Sequence, residues 1–168
     1  FTLELNDVAI ASVNEESPEE SVRESSIEFE PAIILLVDDI EPNRILIMEQ
    51  FSNTKLTFIE AENGLIATEM AITDQPDLII MDIRMPVMDG FEANDVIKQN
   101  PLTKHIPVIA LTASISKVEL SNVKHNFDYF LHKPARKKDI KQAFEKFISY
   151  KSPKKIGTSI SPKAEPDQ

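Results

Sequence analysis

Cysteine is absent from the 168 residues, and so is tryptophan. Without thiols the chain can form no disulfide, no thiolate zinc site and no cysteine nucleophile. Glycine occurs only three times, and no Ser/Thr/Gly-rich phosphate loop follows the first apolar run, which removes a flavin-binding reading. No apolar stretch approaches the roughly 20 residues of a membrane-spanning helix. The polar, acidic first residues are unlike a signal peptide. Basic residues are outnumbered, 18 Lys and Arg against 28 Asp and Glu, for a formal net charge of −10. That balance argues against direct binding to nucleic acid and against membrane contact by this segment. What is present is an apolar fraction of 42% beside 27% charged residues, the composition of a soluble globular protein with one ordinary core. The chain starts at Phe1 rather than Met, so a piece of a longer protein is expected.

Charge is unevenly spread. Residues 1–31 hold nine acids against the single base Arg23. Within them the Glu- and Ser-rich run over 14–30 reads as a flexible linker. Residues 152–168 carry Pro153, Pro162 and Pro166 among Ser and Lys, the composition of a disordered tail. The expected organisation is an acidic linker over 9–31, a folded domain over 32–150 and a tail over 151–168. Before the linker, Phe1, Leu3 and Leu5 alternate with polar residues, as in a strand.

The middle alternates between two periodicities. Ile33 to Val37 and Leu78 to Met81 are continuous apolar runs, too short for buried helices and typical of strands covered on both faces. Leu56 to Ala61, Val108 to Leu111 and Tyr129 to Leu131 complete five strands. Between them, Pro42 opens a helix with Ile45, Met48 and Phe51 facing inward. A short helix after Asn63-Gly64 turns Ile66 and Met70 in. Asp89 caps a third, with Ala93, Val96 and Ile97 inward. Ser116 and Glu119 have capping-box spacing for a fourth, which has few apolar anchors up to Val123 and should pack shallowly. Ile140, Phe144, Phe147 and Ile148 form the clearest helical stripe. Five strands alternating with five helices predict an α/β fold, a parallel sheet with helices on both faces. Ligands then bind beyond the C-terminal strand ends.

Those ends are chemically loaded. The first strand ends in Asp38-Asp39, the third in Asp82, the fourth in Thr112, and the fifth in Lys133-Pro134. Three carboxylates converging in a partly dry site repel one another. A hard divalent cation with oxygen ligands, Mg²⁺, relieves that repulsion best, and it keeps positions for water and phosphate. A remaining carboxylate can then attack phosphorus. Phosphoryl transfer needs chiefly positioning and neutralised charge, which Lys133 and the Thr112 hydroxyl supply.

The segments ILLVDDIEPNR (Ile34 to Arg44), LIIMDIRMPVMDGFEA (Leu78 to Ala93), IPVIALTA (Ile106 to Ala113) and DYFLHKP (Asp128 to Pro134) together resemble the receiver domain of two-component signalling. That domain is the phospho-accepting module of response regulators and hybrid kinases. The resemblance runs from about Ile33 to Ile148. It implies a flavodoxin-like three-layer sandwich with strand order 2-1-3-4-5. It implies Asp82 as phosphoacceptor, Asp39 as a direct Mg²⁺ ligand, Asp38 as a ligand through water or directly, and the Arg84 carbonyl as a further ligand. Thr112 becomes the switch hydroxyl, Lys133 the phosphate-binding ammonium, Phe130 the switch aromatic, and Lys133–Pro134 a cis bond. Arg84 and Ser114 tune the lifetime of the acyl phosphate. The implied partner is the phospho-histidine domain of a sensor kinase or phosphotransfer protein, met in the cytoplasm, and the receiver speeds its own phosphorylation and dephosphorylation. Pro42-Asn43-Arg44 looks like a hybrid-kinase receiver, and Phe1 to Val8 resembles the last strand of a kinase ATP-binding domain. One departure is Asn126, where the family usually has Gly; Asn tolerates φ > 0 best among the other residues.

Two other classes compete. An interaction module that never gains phosphate would have lost an acid or the lysine, and none is lost. A phosphatase of the haloacid dehalogenase type would need a second Asp two residues after the nucleophile, where this chain has Arg84. His105, His125 and His132 read as surface imidazoles, and Met81, Met85 and Met88 as packing residues.

Overall fold

The structure, a computed structural model, describes residues 27–113 and 117–151, with side chains of the second range given from residue 121. The elements in chain order are β1 (Glu28–Phe29), β2 (Ala32–Val37), α1 (Glu41–Gln50), β3 (Leu56–Ala61), α2 (Gly64–Thr73) and β4 (Leu78–Asp82). They continue with α3 (Gly90–Gln99), β5 (Val108–Thr112), α4 (Lys117–Asn126), β6 (Tyr129–His132), α5 (Lys137–Phe147) and β7 (Tyr150–Lys151). Strands β2 to β6 form one parallel sheet in the order β3-β2-β4-β5-β6, the arrangement expected.

Alternation along the strands divides the core in two. Ile34, Leu36, Leu78, Ile80, Ile109, Leu111 and Leu131 join Ile47 of α1, Phe51 at its C-cap, and Ile140 and Phe144 of α5 on one face. Leu35, Val37, Ile79, Met81, Val108 and Ala110 join Ala67, Ala71, Ala93, Ile97 and Val123 on the other. Each of the larger of these side chains (Val, Leu, Ile, Met and Phe) stabilises the fold by about 2 kcal/mol when fully buried. Burial on both faces explains why the strands lack polar alternation.

Two helices are rotated from the expected phase. In α1 Ile45 is 40% exposed, whereas Ile47 and Phe51 are buried. In α3 Val96 is 44% exposed, and Gly90, Ala93, Asn94 and Ile97 are the buried residues. In both cases a polar residue shares the inward stripe. The α1 stripe starts at Arg44, whose side chain is only 13% exposed, and that of α3 contains Asn94. Asp89 caps α3 as expected and closes a capping box with Glu92, worth about 1 kcal/mol. The capping pair expected for α4 lies outside the described side chains. Val123 of that helix is fully buried.

The fold begins earlier than Ala32. Residues 28–29, expected at the end of the linker, form β1 and pair antiparallel with β7. Phe29 drives this: it is buried, edge-on to Phe144 at 5.9 Å and to Tyr150 at 6.3 Å. Glu30 N–H donates to the Ser149 carbonyl, and Lys55 pairs with Glu28 at 2.6 Å.

Asn126 is the last residue of α4, and positive φ occurs instead at Gln75 (46°) and Val87 (71°). At Val87 the Met88 N–H donates to the Pro86 carbonyl at 2.9 Å, closing a γ-turn of the rare left-handed kind. A β-branched residue is strained there, and this one is 77% exposed, so its side chain contributes little packing. Val87→Gly should therefore raise stability by about 1 kcal/mol after the entropic cost of glycine. Thermal unfolding would show this as a midpoint about 3 °C higher; a lower midpoint would contradict the strain.

Candidate functional site

Register assembles the site. Val37 pairs with Met81, so Asp38 lies beside Asp82 as each chain leaves the sheet. Asp82 pairs with Leu111, and Thr112 with His132, which puts Lys133 one residue farther out. The two-residue period then chooses the face. Asp38, Asp82 and Lys133 continue the series of Leu36, Ile80 and Leu131, on the side of α1 and α5. Thr112 and Phe130 continue the series of Ala110, on the side of α4.

Asp38, Asp39 and Asp82 each offer an oxygen, and these atoms lie within 4.8 Å of one another. Asp38 and Asp82 are 2% and 7% exposed, while Asp39 is exposed. The Lys133 ammonium donates to Oδ2 of Asp38 and to Oδ2 of Asp82, both at 2.7 Å. Burial alone would push the Lys133 pKa down. The hydrogen bonds to Asp38 and Asp82, with the charge of both, outweigh it, and the pKa is raised. The ammonium therefore stays charged through the neutral range.

Asp38 has further donors. Ile40 N–H reaches its Oδ1 at 2.9 Å, and the Asn43 amide reaches both oxygens at 3.1 Å. Arg44 Nη1 donates to the Asp38 carbonyl at 2.6 Å while its Nε pairs with Glu60 at 2.8 Å. Asp82 Oδ1 accepts from the Arg84 N–H at 3.3 Å. The Thr112 hydroxyl is buried, and among the described residues its bond, to the Ala113 carbonyl, is long, 3.4 Å, so a closer acceptor would displace it. Lys133–Pro134 is cis, as the resemblance implies. Phe130 is half-buried, with His132 at 5.5 Å and the Lys124 ammonium at 5.7 Å from its ring.

Gly90 sets the approach of α3 to the acidic strand end. A Cβ there would lie 2.5 Å from the Asp82 carbonyl oxygen and 2.8 Å from the Ile83 Cα. Both atoms are backbone, so no side-chain rotation relieves the clash. Gly90 carries no role in the sequence pattern beyond the resemblance, and Asn43 and Arg44 enter it only through Pro42-Asn43-Arg44; their bonds to Asp38 come from the structure.

The donor set suits a hard cation: oxygen ligands, two of them in buried carboxylates, with one fixed ammonium for two acids. Arranged so, the site can present a carboxylate oxygen to a phosphorus centre and neutralise what it receives.

The family profile described as response regulator receiver domain matches residues 34–145. Histidine kinase P4 of Formosa agariphila is 35% identical over 124 residues, covering 73% of this chain and 9% of that protein. The chemotaxis protein CheY of Halobacterium salinarum is 35% identical over 116 residues, covering 69% of this chain and 96% of the relative. A solved receiver domain of a sensor histidine kinase from Pseudomonas aeruginosa, with a magnesium ion coordinated in its active-site cleft, matches with a TM-score of 0.65. It is 26% identical and covers 70% of this chain and 98% of that one. The chain spans less than a quarter of several curated relatives: 9% of the Formosa kinase and 23% of the response regulator PleD of Caulobacter vibrioides.

Proposed function

Because the chain belongs to the response regulator receiver domain family of two-component signalling, we propose that Asp82 is its phosphoacceptor and that it is charged from a phospho-histidine with Mg²⁺ present. The observation that carries this reading is Lys133 bridging Asp38 and Asp82 at 2.7 Å beside Asp39.

In the transfer, an Asp82 carboxylate oxygen forms the new P–O bond as the P–N bond to the donor imidazole breaks. The bonding pair leaves on the imidazole nitrogen, which takes up a proton. Asp38, Asp39, Asp82 and the Arg84 carbonyl are the ligands assigned to Mg²⁺, which when bound offsets the negative charge of acids and phosphoryl group. Lys133 exchanges its bond to Asp82 for one to a phosphoryl oxygen. Thr112, whose hydroxyl makes a long bond among the described residues, turns to another, and Phe130 responds from the same face of the sheet. The printed names of the Formosa and Pseudomonas relatives, with Pro42-Asn43-Arg44, favour a hybrid sensor kinase as the parent; on this reading its donor is a phospho-histidine domain met in the cytoplasm.

Acetyl phosphate tests the chemistry without a cognate donor. Labelling of the 168-residue chain is expected with Mg²⁺ and should fall to background when EDTA removes the ion. Undiminished transfer in EDTA would overturn the metal assignment.

A further inference from the structure

Among the described residues, Asp38 is the most heavily hydrogen-bonded of the three acids. Ile40 N–H, the Asn43 amide with contacts to both oxygens, and Lys133 together make four contacts, from 2.7 to 3.1 Å. Both partners of Asn43 Nδ2 are carboxylate oxygens, so the nitrogen, not the amide oxygen, faces Asp38. Arg44 fixes the backbone of the same residue through its carbonyl. Thus consecutive residues in the first turn of α1 hold the side chain and the main chain of one acid. Among the described residues, the contact of Asp82 Oδ1 is by contrast the long 3.3 Å one from the Arg84 N–H, and Asp39 is exposed.

We propose that Asn43 is a positioning residue that sets the Mg²⁺ affinity of the acidic rim, by holding the Asp38 carboxylate in one orientation toward Lys133. The inference rests on the reading that Asp38, Asp39 and Asp82 hold the ion. Without the amide, Asp38 keeps its charge but gains rotational freedom about its side-chain bonds. Each binding event must then restrict that freedom again. Losing such a supporting hydrogen bond typically weakens a metal site about 10- to 100-fold.

Asn43→Leu keeps the branched outline, adds some bulk and removes the donor. Titration calorimetry with MgCl₂ on the 168-residue chain should show affinity lowered about tenfold, with the melting midpoint in EDTA changed little. Equal or tighter Mg²⁺ binding by the variant, or a large fall in melting with affinity retained, would overturn the positioning role alone. Failure of the wild-type chain to bind MgCl₂ would instead overturn the reading of the rim, and this inference with it. A second measurement does not depend on the variant folding. In the wild type, the ¹⁵N–¹H pair of the Asn43 side-chain amide should shift as MgCl₂ is added; an unmoved pair would reject the proposal.

Discussion

Asp82→Asn should lose labelling by acetyl phosphate completely. The amide occupies almost the same space as the carboxylate, and its oxygen can still accept from the Lys133 ammonium that now sits 2.7 Å away. What it lacks is an anionic oxygen able to form a stable bond to phosphorus. The fold should persist, because Asp82 lies at the end of β4 and the residues before it, Leu78 to Met81, are fully buried hydrocarbon. Radiolabel or intact-mass measurement after incubation decides the matter: phosphate incorporated at the wild-type rate would remove Asp82 from the role proposed for it.

Lys133→Ala should have the second-largest effect, and on two quantities. The substitution leaves Asp38 and Asp82 buried against each other with no cation between them. Breaking a buried pair from one side costs on the order of 3 kcal/mol, so unfolding in EDTA should move to markedly lower denaturant, and Mg²⁺ should restore part of the loss. The raised pKa of Lys133 fixes the sign of the pH dependence. Its stabilisation is fully present below the ordinary lysine value of about 10.4 and is lost as pH climbs through the higher folded value. The variant should therefore lose that part of the wild type's alkaline destabilisation. The second quantity is the response to phosphate. With no ammonium to draw toward the phosphoryl group, amide shifts at Thr112 and Phe130 on labelling should shrink; a response equal to that of the wild type would contradict the coupling.

The acidic rim was legible because it follows from strand order and a two-residue period. Once Ile34 to Val37 and Leu78 to Met81 are recognised as parallel strands, Asp38 and Asp82 have to meet. The helices were less legible where function intrudes on their buried stripes. Arg44 and Asn94 occupy positions that hydrophobicity alone assigns to solvent, so Ile45 and Val96 were expected inward and lie outward. Asn126 drew attention as a stand-in for glycine, yet the strained backbone falls at Val87, a residue type that gives no warning of it. Residues 28–29 were hidden by composition. In a run dominated by glutamate, one phenylalanine is a weak signal, and its partners Phe144 and Tyr150 lie more than a hundred positions away.

The antiparallel pair formed by β1 and β7 also governs how the domain sits in a polypeptide. Glu28 and Lys151 pair across these neighbouring strands, about 5 Å apart, ahead of the start of β2, whose other end leads to Asp38. Were residues 27–151 excised from a longer polypeptide, the severed ends would almost touch, so a short linker could rejoin them.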